Sequence, residues 1–148
     1  MWRARCLMLA LTLAACAHPQ AAVRQIGLPA DLEAFATHLL IIQIPIHGDW
    51  GSDGDVEVRY SLERDLQRRL GTLGVVDGGD IGSGNMNLFV VSITDLPGAL
   101  LAVKSVMERW DLLGIAVIQR SSFWSADDDE PVESVVWPIG YQGTFSVF

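Results

Sequence analysis

Cysteine is almost missing from the chain. Its two copies in 148 residues, Cys6 and Cys16, both fall within the first sixteen positions. Nothing beyond residue 16 can therefore pair in an internal disulfide, hold a metal through thiolate or attack a substrate as a thiol. Positive charge is also short: ten Lys and Arg stand against eighteen Asp and Glu, a formal net charge of −8. An acidic chain lacks the electrostatic footprint that nucleic acid or anionic lipid requires, so neither is an expected partner. Internal repeats are missing, and after the N-terminus no apolar run reaches the roughly 18–20 residues of a membrane span. Stability has to come from packing one core.

What is present at the start is M-W-R-A-R-C-L-M-L-A-L-T-L-A-A-C. Arg3 and Arg5 precede an apolar stretch, Leu7 to Ala15, broken only by Thr12. It is too short to cross a bilayer as a permanent helix but has the length of a signal-peptide core. Its ending, Leu13-Ala14-Ala15-Cys16, resembles the lipobox of bacterial lipoproteins. The resemblance implies cleavage before Cys16, acylation of its thiol and anchoring to a membrane of the bacterial envelope. Ala17, where aspartate would resemble an inner-membrane retention signal, leans towards the outer membrane, facing the periplasm. Residues 1–15 are thus expected to be a signal peptide and residues 16–36 a lipidated cysteine with its tether, including a short helical turn at Asp31–Phe35. Loss of Arg3 and Arg5 with that peptide takes the formal charge from −8 to −10.

Residues 37–120 carry the periodicity of a folded domain. Thr37 to His47 is isoleucine-rich and ends against the turn residues G-D-W-G-S-D-G-D, the pattern of a strand. Leu40, Ile42, Ile44 and Ile46 share one face, and Leu39, Ile41 and Gln43 the other. Apolar character on both sides predicts a central strand, with His38 at an edge. Val58, Leu62, Leu66, Leu70 and Leu73 then recur at helical spacing, predicting a helix over Val56–Leu70 with Asp55 as its N-cap and Gly71 or Gly74 near its end. Val75-Val76 begins a short strand and M-N-L-F-V-V-S-I a longer one. Asp95 caps a second helix over Leu96–Trp110, whose stripe is Leu100, Val103, Met107 and Trp110. Gly114 to Gln119 is the predicted fourth strand.

The expected fold class is therefore α+β: a ferredoxin-like βαββαβ sandwich, one four-stranded antiparallel sheet with two helices on one face. Leu39, Ile41, Phe89 and Val91 supply apolar groups to the second face. The run Gly74–Phe89, G-V-V-D-G-G-D-I-G-S-G-N-M-N-L-F, also resembles short bacterial ferredoxin-like domains of unknown function. Residues 121–148 form an aromatic-rich extension with Phe123, Trp124, Trp137, Tyr141, Phe145 and Phe148, expected to cover the second face or to dock on a partner. Within it, Asp127–Glu130 reads as an exposed loop.

The stretch Asp77–Asn87, D-G-G-D-I-G-S-G-N-M-N, is the richest in site-like residues. Gly79 and Gly84 have P-loop spacing, but Asn85 and Met86 stand where lysine and a hydroxyl are needed, and a strand rather than a helix follows. A hairpin turning at Gly82-Ser83-Gly84-Asn85, with a bulge at Gly78-Gly79, accounts for the composition. Asp77, Asp80, Asn85 and Asn87 remain as the candidate binding residues if the hairpin faces a small ligand or a metal. Two further readings are weaker. Asp53-x-Asp55-x-Glu57 offers alternating oxygens but departs from the EF-hand pattern at the glycine and the distal glutamate. His47 with Asp49 or Asp77 has the makings of a general base and its orienter, as in a hydrolase, without an identifiable nucleophile. Arg59, Arg64, Arg68 and Arg69 form a basic face of the first helix, with Arg59–Glu63 an i,i+4 pair. The expectation is a non-enzymatic accessory or protein-interaction protein with no catalytic residue, metal or cofactor, lipidated at Cys16.

Overall fold

The computed structural model describes residues 37–123, 130–145 and 147. The expected signal peptide, Cys16, the expected tether with its turn, Trp124, Asp127–Asp129 and Phe148 lie outside the described residues. The elements run β1 (Thr37–Pro45), α1 (Asp53–Leu70), β2 (Val75–Gly82), β3 (Asn85–Val91), α2 (Leu96–Arg109), β4 (Val117–Phe123) and β5 (Val132–Trp137). All sheet pairings are antiparallel and the strand order is β2-β3-β1-β4-β5. The molecule is thus α+β, consistent with the ferredoxin-like class but with five strands where four were expected.

The fifth strand revises the reading of the C-terminal extension. Phe123 is the last residue of β4, and Val132–Trp137 pairs along the free side of β4 instead of lying across the sheet. Trp137 sits opposite Ile118, and its ring packs against the core from the helix side. Its Nε1–H donates to the Leu113 carbonyl at 3.0 Å, and the Lys104 ammonium lies 3.9 Å from the ring centroid. An indole thereby ties the outermost strand to α2 and the turn after it.

The core lies between the sheet and the helices. Leu40, Ile42, Leu88, Val90 and Ile118 from the sheet meet Leu62 and Leu66 of α1 and Val103, Val106 and Met107 of α2, all but fully buried. The stripe predicted for α1 is present, although its first member, Val58, remains 38% exposed. The cap of α1 differs from expectation. Ser52, not Asp55, is the N-cap: Ser52 Oγ accepts from Asp55 N–H, and Asp55 Oδ2 accepts from Ser52 N–H at 2.7 Å. Asp55 is therefore the third residue of a capping box, where its charge meets the helix dipole. Asp95 caps α2 as predicted, accepting from Gly98 N–H at 3.2 Å.

His38 also departs from expectation. It is the second residue of the central strand, 8% exposed, with Nδ1 3.1 Å from Ser122 Oγ on β4. The predicted fourth strand is displaced as well, starting at Val117 and ending at Phe123 rather than covering Gly114–Gln119. Residues 112–116 close a turn instead, with Ile115 N–H and Ala116 N–H both donating to the Leu112 carbonyl.

The strand directions give the domain two poles. The chain enters β1 at Thr37, beside Phe123, and leaves it at Pro45, beside Asn85. Nine residues of strand separate these ends by about 30 Å. At the far pole gather the loop after β1, the start of α1, the β2–β3 turn, the end of α2 and the end of β5. At the near pole lie Thr37, the starts of β2, α2 and β5, and the end of β4.

Candidate functional site

The glycine stretch is mostly strand. β2 runs through it to Gly82, and Ser83 and Gly84 make a two-residue turn with φ of 45° and 76°. Both central residues in the left-handed region mark a type I′ turn, the hairpin connection that matches strand twist. Register slips between Val76 and Gly79, so Gly78, at φ 85°, and its neighbours form the expected bulge. The bulge has a use. Gly79 carbonyl points at α1 and accepts from Arg59 Nη1 at 2.6 Å, and the same nitrogen lies 2.9 Å from Glu63 Oε1. A little further along, Gln67 Oε1 accepts from Val76 N–H at 2.9 Å. Side chains of α1 thus occupy backbone groups on the outer edge of β2, closing an edge that would otherwise be open to strand addition.

Of the four hairpin candidates, the structure brings two together. Asp80 stands opposite Asn87, and Asn87 opposite Gln43 on β1. Asn87 Nδ2 donates to Asp80 Oδ1 at 2.7 Å, and Gln43 Nε2 donates to Asn87 Oδ1 at 3.0 Å. Asn87 is fully buried and Gln43 is 6% exposed. The three side chains form a row across three strands, on the face opposite Met86 and Leu88. Each amide is satisfied by its neighbour, so the row fixes strand register as well as filling space. The other two candidates stand apart: Asn85 Nδ2 donates back to the Ser83 carbonyl at 3.2 Å, and Asp77 is exposed on the bulge. Gln43 is the member that sequence reasoning left out of the site. Its signal was available, a lone amide on an isoleucine strand.

The second face is buried at its centre. Ile41 and Gln43 are each 6% exposed, Gln119 5% and Ser121 2%, while Leu39 and Phe89 are half-buried. Ser121 Oγ reaches Glu133 Oε1 on β5 at 3.4 Å.

His47 and Asp49 are exposed beyond the end of β1. The carboxylate whose charge His47 influences is Asp55, and no hydrogen bond joins His47 to Asp49 or Asp77 among the described residues. Asp55 is held below the ordinary carboxylate range, first by the Ser52 hydroxyl and then by the Ser52 backbone N–H, with a smaller contribution from His47. Among the described residues no group of three or more His, Cys, Asp and Glu is placed to hold a metal. The arginine face of α1 is largely engaged: Arg59 as above, Arg68 with Asp65 at 2.7 Å, Arg64 with Ser61 at 2.9 Å and Arg69 with Ser105 of α2 at 3.0 Å.

The most exposed large apolar side chains lie elsewhere. Trp50, in the loop after β1, is 83% exposed, and Ile139, just past β5, is 91% exposed. The Trp50 loop is tied to the hairpin: Gly84 N–H donates to the Asp49 carbonyl at 3.2 Å, and Ile46 N–H donates to the Gly84 carbonyl at 2.9 Å. Gly51, at φ 68°, leaves no room for a Cβ between Ile81 and Ile46. Trp50 is therefore displayed on a braced loop. At the ends of α2 and β5, Glu108, Asp111, Leu113, Gly114 and Trp137 line a shallow depression of about 270 Å³.

Compared with protein-family models, with curated proteins and with solved structures, the chain matches none.

Proposed function

We propose that the chain is a lipid-anchored protein of the bacterial envelope, facing the periplasm from the outer membrane, that acts as an accessory protein-interaction module. The observation that carries the reading is Leu13-Ala14-Ala15-Cys16 placed directly after a basic and then apolar segment. Three acyl chains on Cys16, as bacterial lipoproteins typically carry, would hold the protein firmly, since stable attachment takes at least two. Twenty residues separate Cys16 from the first strand, enough for a reach of at most about 70 Å. The exposed Trp50 supports interaction as the working mode, because an aromatic carried on a loop whose backbone is already held anchors contacts with little loop ordering left to do.

The test is Cys16→Ala in cells. The variant is expected to lose lipid labelling and to move from the membrane to the soluble envelope fraction. Membrane retention without the thiol removes the anchoring half of the reading.

A further inference from the structure

We infer that Asp77-Gly78 is a modification site, at which the folded chain converts aspartate to isoaspartate without an enzyme. The inference goes beyond the interaction reading and does not depend on it.

The reaction needs an aspartate whose side-chain carboxyl the next backbone nitrogen can reach. That nitrogen attacks Cγ, the new N–Cγ bond closes a five-membered succinimide, and the amide proton leaves with the carboxyl hydroxyl as water. Water then opens the ring at either carbonyl. Opening at Cγ restores aspartate, whereas opening at the backbone carbonyl routes the chain through Cγ and frees an α-carboxylate. The water lost is regained, so the product keeps the mass and charge of the starting chain. Glycine as the following residue favours closure, because no Cβ screens its nitrogen and its backbone is free to follow the ring.

The chain holds two Asp-Gly pairs, Asp53-Gly54 and Asp77-Gly78, and the fold treats them differently. Asp53 opens α1, whose first turn is fixed by the capping box. Ser52 N–H donates to Asp55 Oδ2 at 2.7 Å, and Asp55 N–H and Val56 N–H donate to the Ser52 carbonyl at 3.0 and 3.2 Å. Turning Asp53 to present its carboxyl to the Gly54 nitrogen unwinds that turn. Asp77 and Gly78 lie in the bulge instead. The register passes from Val76–Val90 to Gly79–Leu88 and gives neither residue a partner on β3. Asp77 is exposed, Gly78 has φ 85°, and a Cβ built on Gly78 would meet nothing within 4 Å. The turn into the ring therefore has open space at Gly78.

Both flanks of the pair are held by α1. Val76 N–H donates to Gln67 Oε1 at 2.9 Å, and the Gly79 carbonyl accepts from Arg59 Nη1 at 2.6 Å. Isoaspartate adds one methylene to the backbone between these fixed points, so their spacing no longer matches α1. Loosening of the Val76 clasp then uncovers part of the β2 edge that α1 closes.

The experiment ages the full chain, purified in detergent, in neutral buffer at physiological temperature for several weeks, beside a sample unfolded in guanidinium. Isoaspartyl methyltransferase then transfers a labelled methyl group from S-adenosylmethionine to each freed α-carboxylate. Trypsin places Asp77 on the peptide 70–104 and Asp53 on the peptide 25–59, and electron-transfer fragmentation locates the isomer within each. In the folded sample, label is expected to accumulate at residue 77 and to stay at its starting level at residue 53. In guanidinium both positions should accumulate it. Asp77→Glu keeps the charge but closes only a six-membered ring, and should leave position 77 unlabelled. Asp77→Asn should speed the reaction, because an amide expels ammonia, and should record each event as a gain in mass. Melting curves that match the parent show that each variant is folded. The isomerised fraction should exchange the Val76 amide proton faster than fresh chain. Equal accumulation at residues 53 and 77 of the folded chain overturns the proposal, as does label at residue 77 in guanidinium alone. Unchanged Val76 exchange in the isomerised fraction overturns the effect on the clasp.

Discussion

At the scale of single residues, the hairpin shows how little room separates a turn from a fault. A Cβ on Gly79 would collide with the Asn87 carbonyl oxygen and crowd Leu88 and Glu63, whereas one on Gly114 meets nothing within 4 Å. Gly79→Ala should destabilise the fold by about 1–3 kcal/mol, as overpacking does, and Gly114→Ala should be close to neutral in denaturant unfolding. The buried row Asp80–Asn87–Gln43 invites a second measurement. Asn87→Leu removes the hydrogen bond that Gln43 Nε2 donates to Asn87 Oδ1 within a buried face, at a cost of roughly 1–3 kcal/mol. Adding Gln43→Leu should recover most of that loss, because two apolar groups then face each other and half-buried Asp80 can turn to water. A double-mutant cycle in which the two losses simply add would show that the row contributes nothing as a row.

At the scale of elements, the helices are held by end contacts as much as by their stripes. Trp110, just past α2, donates from Nε1 to Asp65 Oδ2 on α1 at 3.1 Å. That hydrogen bond, more than the nearby Arg68 and Arg109, holds the Asp65 carboxyl below the ordinary carboxylate range. A depressed folded-state value means that Asp65 contributes stability above the unfolded value of about 4, and that the contribution is lost as pH falls through the lower folded value. Asp65→Asn should therefore flatten part of the acid limb of a stability–pH curve while leaving the curve near pH 7 parallel to the parent's. The last strand is tied to α2 and the turn after it through Trp137. Trp137→Ala removes a half-buried indole, its bond to Leu113 and its stacking on Lys104, and should cost about 2–4 kcal/mol by thermal unfolding. These elements also mark what the sequence made legible. Helix stripes and the two-sided apolar β1 stood out because burial repeats every three to four residues or on both faces. β4 was misplaced because its second half, Arg120-Ser121-Ser122, looks like a loop until the polar partners His38 and Glu133 are seen across the strands. β5, V-E-S-V-V-W, carries no clean alternation because its register shifts beside Ile118. Of the candidate site, the turn was readable from its glycines, whereas the pairing of Asn87 with Gln43, 44 positions apart, is a property of strand order alone.

At the scale of the whole molecule, strand order joins distant parts of the described chain. β1 is bordered on one side by β3 and on the other by β4, so Leu40 faces both Val90 and Arg120. The hairpin β2–β3 closes locally, and each helix forms beside its own stripe. β1 does neither. It is the first described segment to be made, and it stays unpaired until residues roughly 50 and 80 positions later are available. Distant pairings of this kind slow folding, because chain closure is paid before the contacts are gained. Meanwhile Leu39-Leu40-Ile41-Ile42-Gln43-Ile44 is an uncharged β-prone run with two free edges, the composition from which intermolecular sheets grow. The polar row offers a guard on that interval. Gln43 is the one amide in the run, and a neighbouring copy of β1 stacked in the wrong register would bury it against isoleucine, whereas in the native register Asn87 on β3 meets it with a hydrogen bond. The same side chain that aligns the finished sheet thereby penalises an out-of-register one.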